Sequence, residues 1–180
     1  MKIEKENSLL LIIDIQEKLF PFIYNNEELK IKTSKLIQGI KTLGINILVT
    51  EQYTKGLGFT INPLKGLLQD IHPFEKLSFS CCGENNFLTA LKNANKKFII
   101  IAGIEAHVCV LQTTLDLLSS GYIPVIVEDC ISSRNVNDKI ITVERMRSEG
   151  TIITTYESIL FELLKKAGTP QFKEISKIVK

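Results

Sequence analysis

The strongest constraint on how this chain folds is a set of short apolar runs that never alternate with polar residues. Leu9-Leu-Leu-Ile-Ile13, Phe98-Ile-Ile-Ile-Ala102 and the run from Ile123 to Val127 are of strand length and apolar at every position. A strand with one face in water alternates in polarity, whereas one that is apolar throughout must be covered on both faces. Such strands belong to parallel sheets, whose crossover connections lay helices on either side. Longer stretches of helical period separate the runs. Over residues 27–43, for example, Leu29, Thr33, Leu36, Ile37, Ile40 and Leu43 share one helix face. The pattern predicts strands over 8–13, 45–50, 97–102, 123–128 and 151–154, and helices over 27–43, 107–120, 137–149, 156–166 and 172–179. Gly44 and Gly121 stand where a helix C-cap leads into the next strand. The expected fold is a three-layer α/β/α domain around a doubly wound, mainly parallel sheet of about six strands.

The 180 residues are expected to form one domain, 1–180, large enough to bury a core without staples. A net charge of +2 gives no support to a nucleic-acid or anionic-membrane partner. No run approaches the ~18 apolar residues that span a bilayer, so a cytoplasmic location is expected. Four cysteines, two of them adjacent (Cys81 and Cys82), fit neither a disulfide framework nor a zinc ligand set and are expected as reduced thiols, with the adjacent pair in packing roles. Residues 54–74, rich in Gly and Pro, are the one long irregular segment, the kind that covers or builds a site.

Ligands of open α/β sheets bind at the carboxyl ends of the strands. Asp14 follows the first strand there, Glu51 and Gln52 the second, and the turn 103–109 the central one; Asp129 and Ser132-Ser-Arg134 follow the next. Cys109 lies in the first turn of the helix after Gly103, where unpaired N–H groups and the macrodipole favour a thiolate, so its apparent pKa is expected below the ~8.5 of free cysteine. Asp14 is placed to act as a general base. Lys76, in the aromatic stretch Phe74-Glu-Lys-Leu-Ser-Phe79, needs a charged partner if buried, which Asp14 and a thiolate could supply. His107 precedes Cys109 by two residues; such residues point apart on a helix, so His107 is expected at a subunit contact or the pocket rim. Gln16, Gln52, Tyr53 and Leu57 either line the pocket or order the irregular segment, and Ile104 is a further pocket candidate. Gly56-Leu-Gly58 lacks the third glycine of a dinucleotide fingerprint, and no nucleotide-phosphate loop is present.

Taken jointly, Leu10-Leu-Ile-Ile-Asp-Ile-Gln16, Thr50-Glu-Gln-Tyr53 with Gly56-Leu-Gly58, Lys76-Leu-Ser-Phe-Ser80, Gly103-Ile-Glu-Ala-His-Val-Cys109, Gln112-Thr-Thr-Leu-Asp-Leu-Leu118, Asp129 with Ser132-Ser-Arg134, and Pro170-Gln-Phe-Lys-Glu-Ile175 cover nearly the whole chain in order. In these motifs the sequence resembles the isochorismatase-like (cysteine hydrolase) superfamily, most closely its isochorismatase-domain-containing subgroup. The resemblance implies an Asp–Lys–Cys triad at Asp14, Lys76 and Cys109. It also implies a cis peptide at Ile104–Glu105 and an oxyanion hole made by the backbone N–H groups of Glu105 and Cys109. A homo-oligomer is expected, with 105–118 and 132–147 as interface regions. Nicotinamidases of the superfamily hold a metal with Asp-x-His and a further His after the second strand. Here that place reads Glu51-Gln-Tyr-Thr, with His72 the only nearby imidazole, so no metal and no cofactor are expected. The expected activity is metal-independent cysteine hydrolysis of a small molecule with an amide-like C–N bond. A catalytically quiet binding or scaffold protein, a thiol redox protein and a nicotinamidase-like amidase remain as alternatives.

Overall fold

The computed structural model describes all 180 residues. Six strands form one sheet: β1 (Ser8–Ile13), β2 (Ile47–Gln52), β3 (Phe74–Lys76), β4 (Phe98–Ile104), β5 (Ile123–Ser132) and β6 (Ile152–Thr154). Every pairing is parallel, in the order β3-β2-β1-β4-β5-β6. The eight helices are α1 (Asn26–Thr42), α2 (Thr54–Leu57), α3 (Leu64–Leu67), α4 (Asn85–Ala94), α5 (Leu111–Ser119), α6 (Val136–Ser148), α7 (Tyr156–Leu164) and α8 (Pro170–Val179). None is long and apolar enough to cross a membrane.

The non-alternating runs are explained by what covers them. All six residues of β1 are buried. Leu10 and Ile12 face a layer built by α1, α7 and α8, through Leu36, Ile40, Ile159, Leu160 and Ile175. Leu9, Leu11 and Ile13 face the opposite layer, through Phe87 of α4, Leu117 of α5 and Met146 of α6. Each such side chain contributes about 1.5–3 kcal/mol when fully buried, which is what holds the three layers together.

β2, β4 and β5 extend beyond their expected carboxyl ends, whereas β1 and β6 end where expected. β2 runs to Gln52 because Glu51 and Gln52 pair with Glu75 and Lys76 of β3, a strand whose three residues carry too little pattern to be foreseen. β5 is irregular where it passes β4: Ile101 pairs with Ile126, but Gly103 pairs with Ile131. The intervening residues of β5 bulge, and the strand returns beside Ile104 at Ser132. The irregular segment contains the short helices α2 and α3 and a cis Asn62–Pro63 bond. The order in which strands are added reverses between β1 and β4: β2 and β3 build outward on one side and β5 and β6 on the other, which makes this the switch point at which open α/β sheets leave a crevice.

Candidate active site

Three adjacent strand ends deliver a buried polar cluster to this crevice. Asp14 leaves β1 in the left-handed region (φ 53°), and its carboxylate is held on both sides. Oδ1 accepts from Thr50 Oγ1 of β2 at 2.7 Å, and Oδ2 lies 2.7 Å from Lys76 Nζ of β3. Both charged side chains are 1% exposed, so this is a desolvated ion pair. Lys76 completes its shell by donating to Ser78 O at 3.0 Å and Phe79 O at 2.9 Å. Burial pulls its pKa down, but the Asp14 carboxylate, helped by the thiols of Cys81 and Cys109, outweighs burial and leaves it above the ordinary lysine value.

Cys109 enters from the far side of the crevice, after β4, and is 4% exposed. Gly103 sets its approach. At φ 148° this residue runs so close to β1 that a Cβ would stand 2.3 Å from Ile13 O, so only glycine fits. The Ile104–Glu105 peptide that follows is cis. The helix then begins as a π-helical turn over Ala106–Val110 before becoming α5. In that turn Glu105 O accepts from Val108 N and Val110 N, at 3.1 and 3.3 Å. The bond an α-helix would give to the Cys109 N–H goes to Val110 instead. The Glu105 N–H donates to no backbone acceptor.

The surroundings of Cys109 reverse the expected direction of its pKa. Burial raises it first, the charge and hydrogen bond of Asp14 raise it further, and Lys76 only partly offsets them. The thiol therefore titrates well above its ordinary value, and the helix-terminus field does not win against desolvation beside a carboxylate. Cys81, read from sequence as packing, sits in the same cluster: its Sγ is 3.7 Å from Thr50 Oγ1, and burial pushes its thiol up to about 12.

A family model for the isochorismatase domain matches residues 8–158. The chain belongs to the isochorismatase family. Isochorismatase family protein 1B of Dictyostelium discoideum is 42% identical, over 99% of this chain and 89% of that protein. A solved structure titled MAR1 ribonuclease, from Caenorhabditis elegans, is 38% identical with a TM-score of 0.94, covering 99% of this chain and 92% of that one. The YcaC gene product of Escherichia coli, described as an octameric hydrolase of unknown specificity, shares the fold at TM-score 0.92 and 20% identity, over 98% of this chain and 90% of that one. Isochorismatase-family proteins are generally hydrolases.

In this isochorismatase-family site the remaining sequence candidates divide. Gln16 is fully buried and its amide is spent on backbone: Nε2 donates to Gln52 O and Gly58 O at 2.8 and 2.7 Å, and Oε1 accepts from Gln52 N at 2.8 Å. It fastens the segment after β2 to β1 and has no group left for a ligand. Ile104 faces away from Cys109. The pleat turns its side chain, with Ile100 and Ala102, into the α1 layer, opposite the layer holding Cys109. Gln52 and Leu57 are half-buried. Tyr53 is exposed and, with Lys55, Glu75, Leu77 and Glu84, lines an open cleft of about 420 Å³ that reaches Lys76. No group of three or more His, Cys, Asp or Glu side chains has a metal-holding arrangement. His107 Nδ1 is 2.9 Å from Ser133 Oγ, and its Nε2 is 4.0 Å from Asp138 Oδ2. The pair Glu105–Arg134 had no sequence signal beyond Glu105 lying in the turn and Arg134 in the Ser132-Ser-Arg134 motif.

Proposed function

We propose that this protein is a cysteine hydrolase that uses no metal and cleaves an amide-like C–N bond in a small molecule. The observation that carries the reading is the desolvated Asp14–Lys76 pair, whose charges both act on the buried Cys109 thiol. The resting nucleophile is a neutral thiol, so the thiolate forms only as the reaction proceeds. Asp14 takes the Sγ proton while sulfur attacks the carbonyl carbon. The oxyanion is received by the N–H groups of Glu105 and Cys109, donors of the kind whose loss typically costs ~10²–10³ in rate. Lys76 keeps Asp14 oriented and balances charge as the proton moves. The amine leaves with that proton, and Asp14 then activates the water that hydrolyses the thioester. Gln52, Tyr53 and Leu57 are the candidates for contacts to the substrate.

Incubation with an amide library followed by intact-mass measurement tests this. A covalent adduct on the native chain that is absent in Cys109→Ala supports it. No adduct and no turnover across the library would favour a catalytically quiet binding role. The 38%-identical Caenorhabditis elegans structure, named a ribonuclease, favours a second reading, RNA cleavage. RNA digestion lost in Cys109→Ala and Asp14→Asn would replace the amide reading with that one.

We further propose a homo-oligomer. Val136, Ile140 and Ile141 leave apolar side chains exposed on α6, within the interface region expected from sequence, and the structurally similar YcaC is octameric. Light scattering of Ile140→Asp should report a smaller assembly than the native chain. Four unpaired cysteines suit a reducing compartment, and the cytoplasm is the proposed location.

A further inference from the structure

We propose that Arg134 is a positioning residue for the oxyanion turn. It neutralises and clamps the Glu105 carboxylate, so that the backbone N–H of that residue can receive negative charge. The inference rests on the covalent reading above.

Glu105 has two opposed roles in one residue. Its N–H is free of backbone partners and is the donor assigned to the oxyanion in the reading above, yet its side chain is an anion only 7% exposed. An uncompensated carboxylate so close would repel a developing oxyanion, and the low local dielectric would strengthen that repulsion. Arg134 is the one cation that pairs with it. Arg134 Nε donates to Oε2 at 3.0 Å and Oε1 at 3.2 Å, and the Arg134 backbone N–H donates to Oε2 at 2.9 Å. Both carboxylate oxygens are thereby drawn toward β5.

The fold delivers Arg134 deliberately. The bulge in β5 returns the strand beside Ile104 at Ser132, two residues before Arg134. A second tether joins the same two segments, because His107 Nδ1 meets Ser133 Oγ at 2.9 Å. Ser133 O is in turn fixed by the Tyr24 N–H at 2.9 Å. The turn is therefore bracketed by side chains on either side of the free Glu105 N–H. The Arg134 side chain is 60% exposed, so it stabilises little as packing and its value lies in charge and geometry.

The test uses butyraldehyde as a probe for the oxyanion. Its carbonyl carbon bonds to Cys109 Sγ, the C=O π pair moves to oxygen, and the thiol proton passes to Asp14, giving an anionic thiohemiacetal. The readout is protection of Cys109 against iodoacetamide, measured by peptide mass. Iodoacetamide itself displaces iodide at a saturated carbon and builds no oxyanion. Arg134→Gln should raise the half-protecting aldehyde concentration at least ~10-fold, less than outright loss of a donor would. Its alkylation rate without aldehyde should stay within ~2-fold of native, since the Asp14–Cys109 pair is untouched. Arg134→Lys should lie between the two, keeping the charge but losing the Nε–H that both carboxylate oxygens share. The double variant Glu105→Gln/Arg134→Gln, which removes the anion as well, should recover protection to near native, which a loss of packing would not do. Equal protection in Arg134→Gln and native protein would overturn the inference, as would a double variant as impaired as the single one. If butyraldehyde fails to protect the native chain, the covalent reading itself falls.

Discussion

Replacing Lys76 by methionine leaves the Asp14 carboxylate in a desolvated site with Thr50 Oγ1 as its remaining hydrogen-bond donor. Removing one partner from a buried ion pair costs about 3–5 kcal/mol, because the surviving charge keeps its desolvation penalty and loses its attraction. The carbonyls of Ser78 and Phe79 lose a donor too, but those residues are partly open to water, so the upper half of that range suffices. Against a typical total of about 5–15 kcal/mol, such a loss is a large fraction of stability. At about 2–4 °C per kcal/mol for a chain of this size, the melting temperature should fall by about 8–20 °C. Asp14→Asn, which strands the ammonium, should do the same. The double variant Asp14→Asn/Lys76→Met should not add the two costs. With no charge left to desolvate, it should return to near native stability or exceed it, although the candidate base is gone. Urea unfolding of all four proteins gives the midpoints, with an unchanged m-value showing that only stability has moved. A single-variant loss under about 1 kcal/mol, or a double variant that is merely additive, would refute the claim that this pair is a desolvated charge couple.

Alkylation of Cys109 by iodoacetamide should keep accelerating through pH 9 without a plateau, because burial and Asp14 hold the thiol above its ordinary value; in Asp14→Asn the plateau should move to lower pH while the neutral-pH rate falls. A plateau near pH 7 would contradict this. The buried thiols also fix an alkaline limit of stability. Burial raises Cys81 from 9.0 to about 12 and Cys82 to about 11, so the unfolded chain loses these protons first. Their contribution is complete below pH 9 and is lost as pH climbs toward the folded values, at about 1.4 kcal/mol per pH unit for the fully buried Cys81 and less for the part-exposed Cys82, which water screens. Melting temperature should accordingly fall between pH 9 and 12, with a shallower slope in Cys81→Ala; a curve flat to pH 11 would refute it. Gly103→Ala should destabilise by about 3 kcal/mol through its clash with Ile13, whereas Gly66→Ala, in open space on α3, should be neutral or gain about 0.4–1 kcal/mol in the same urea series. Treatment with EDTA should leave both aldehyde protection and alkylation unchanged, since the proposed chemistry uses only side chains and backbone N–H groups of the chain itself.

What the sequence determined by itself is whatever local pattern encodes. Runs apolar at every position required strands covered on both faces, and helical period between them required a parallel α/β/α arrangement; β1, β4 and β5 appear where those runs lie. The rule that strand ends form the site then places Asp14 and Cys109 on one edge of the sheet from sequence alone. Short or context-dependent features were not legible. β3 has three residues and one buried position, and α4 carried no assignment although Phe87 and Leu91 anchor it. The roles of Gln16 and Ile104 were not legible either. A glutamine that binds a ligand and one that binds backbone look identical in sequence, and the side of the sheet Ile104 faces follows from a strand end two residues beyond the predicted one. Tertiary structure alone decided the chemistry of the cluster. The field at a helix start argues for a low thiol pKa, but the cost of burying a charge depends on neighbours brought in from β1 and β3, and these reverse the sign. Arg134 reaches Glu105 only because β5 bulges past β4, a register shift written in no local pattern. Secondary structure responds to residues a few positions apart, whereas desolvation and charge respond to distance in space.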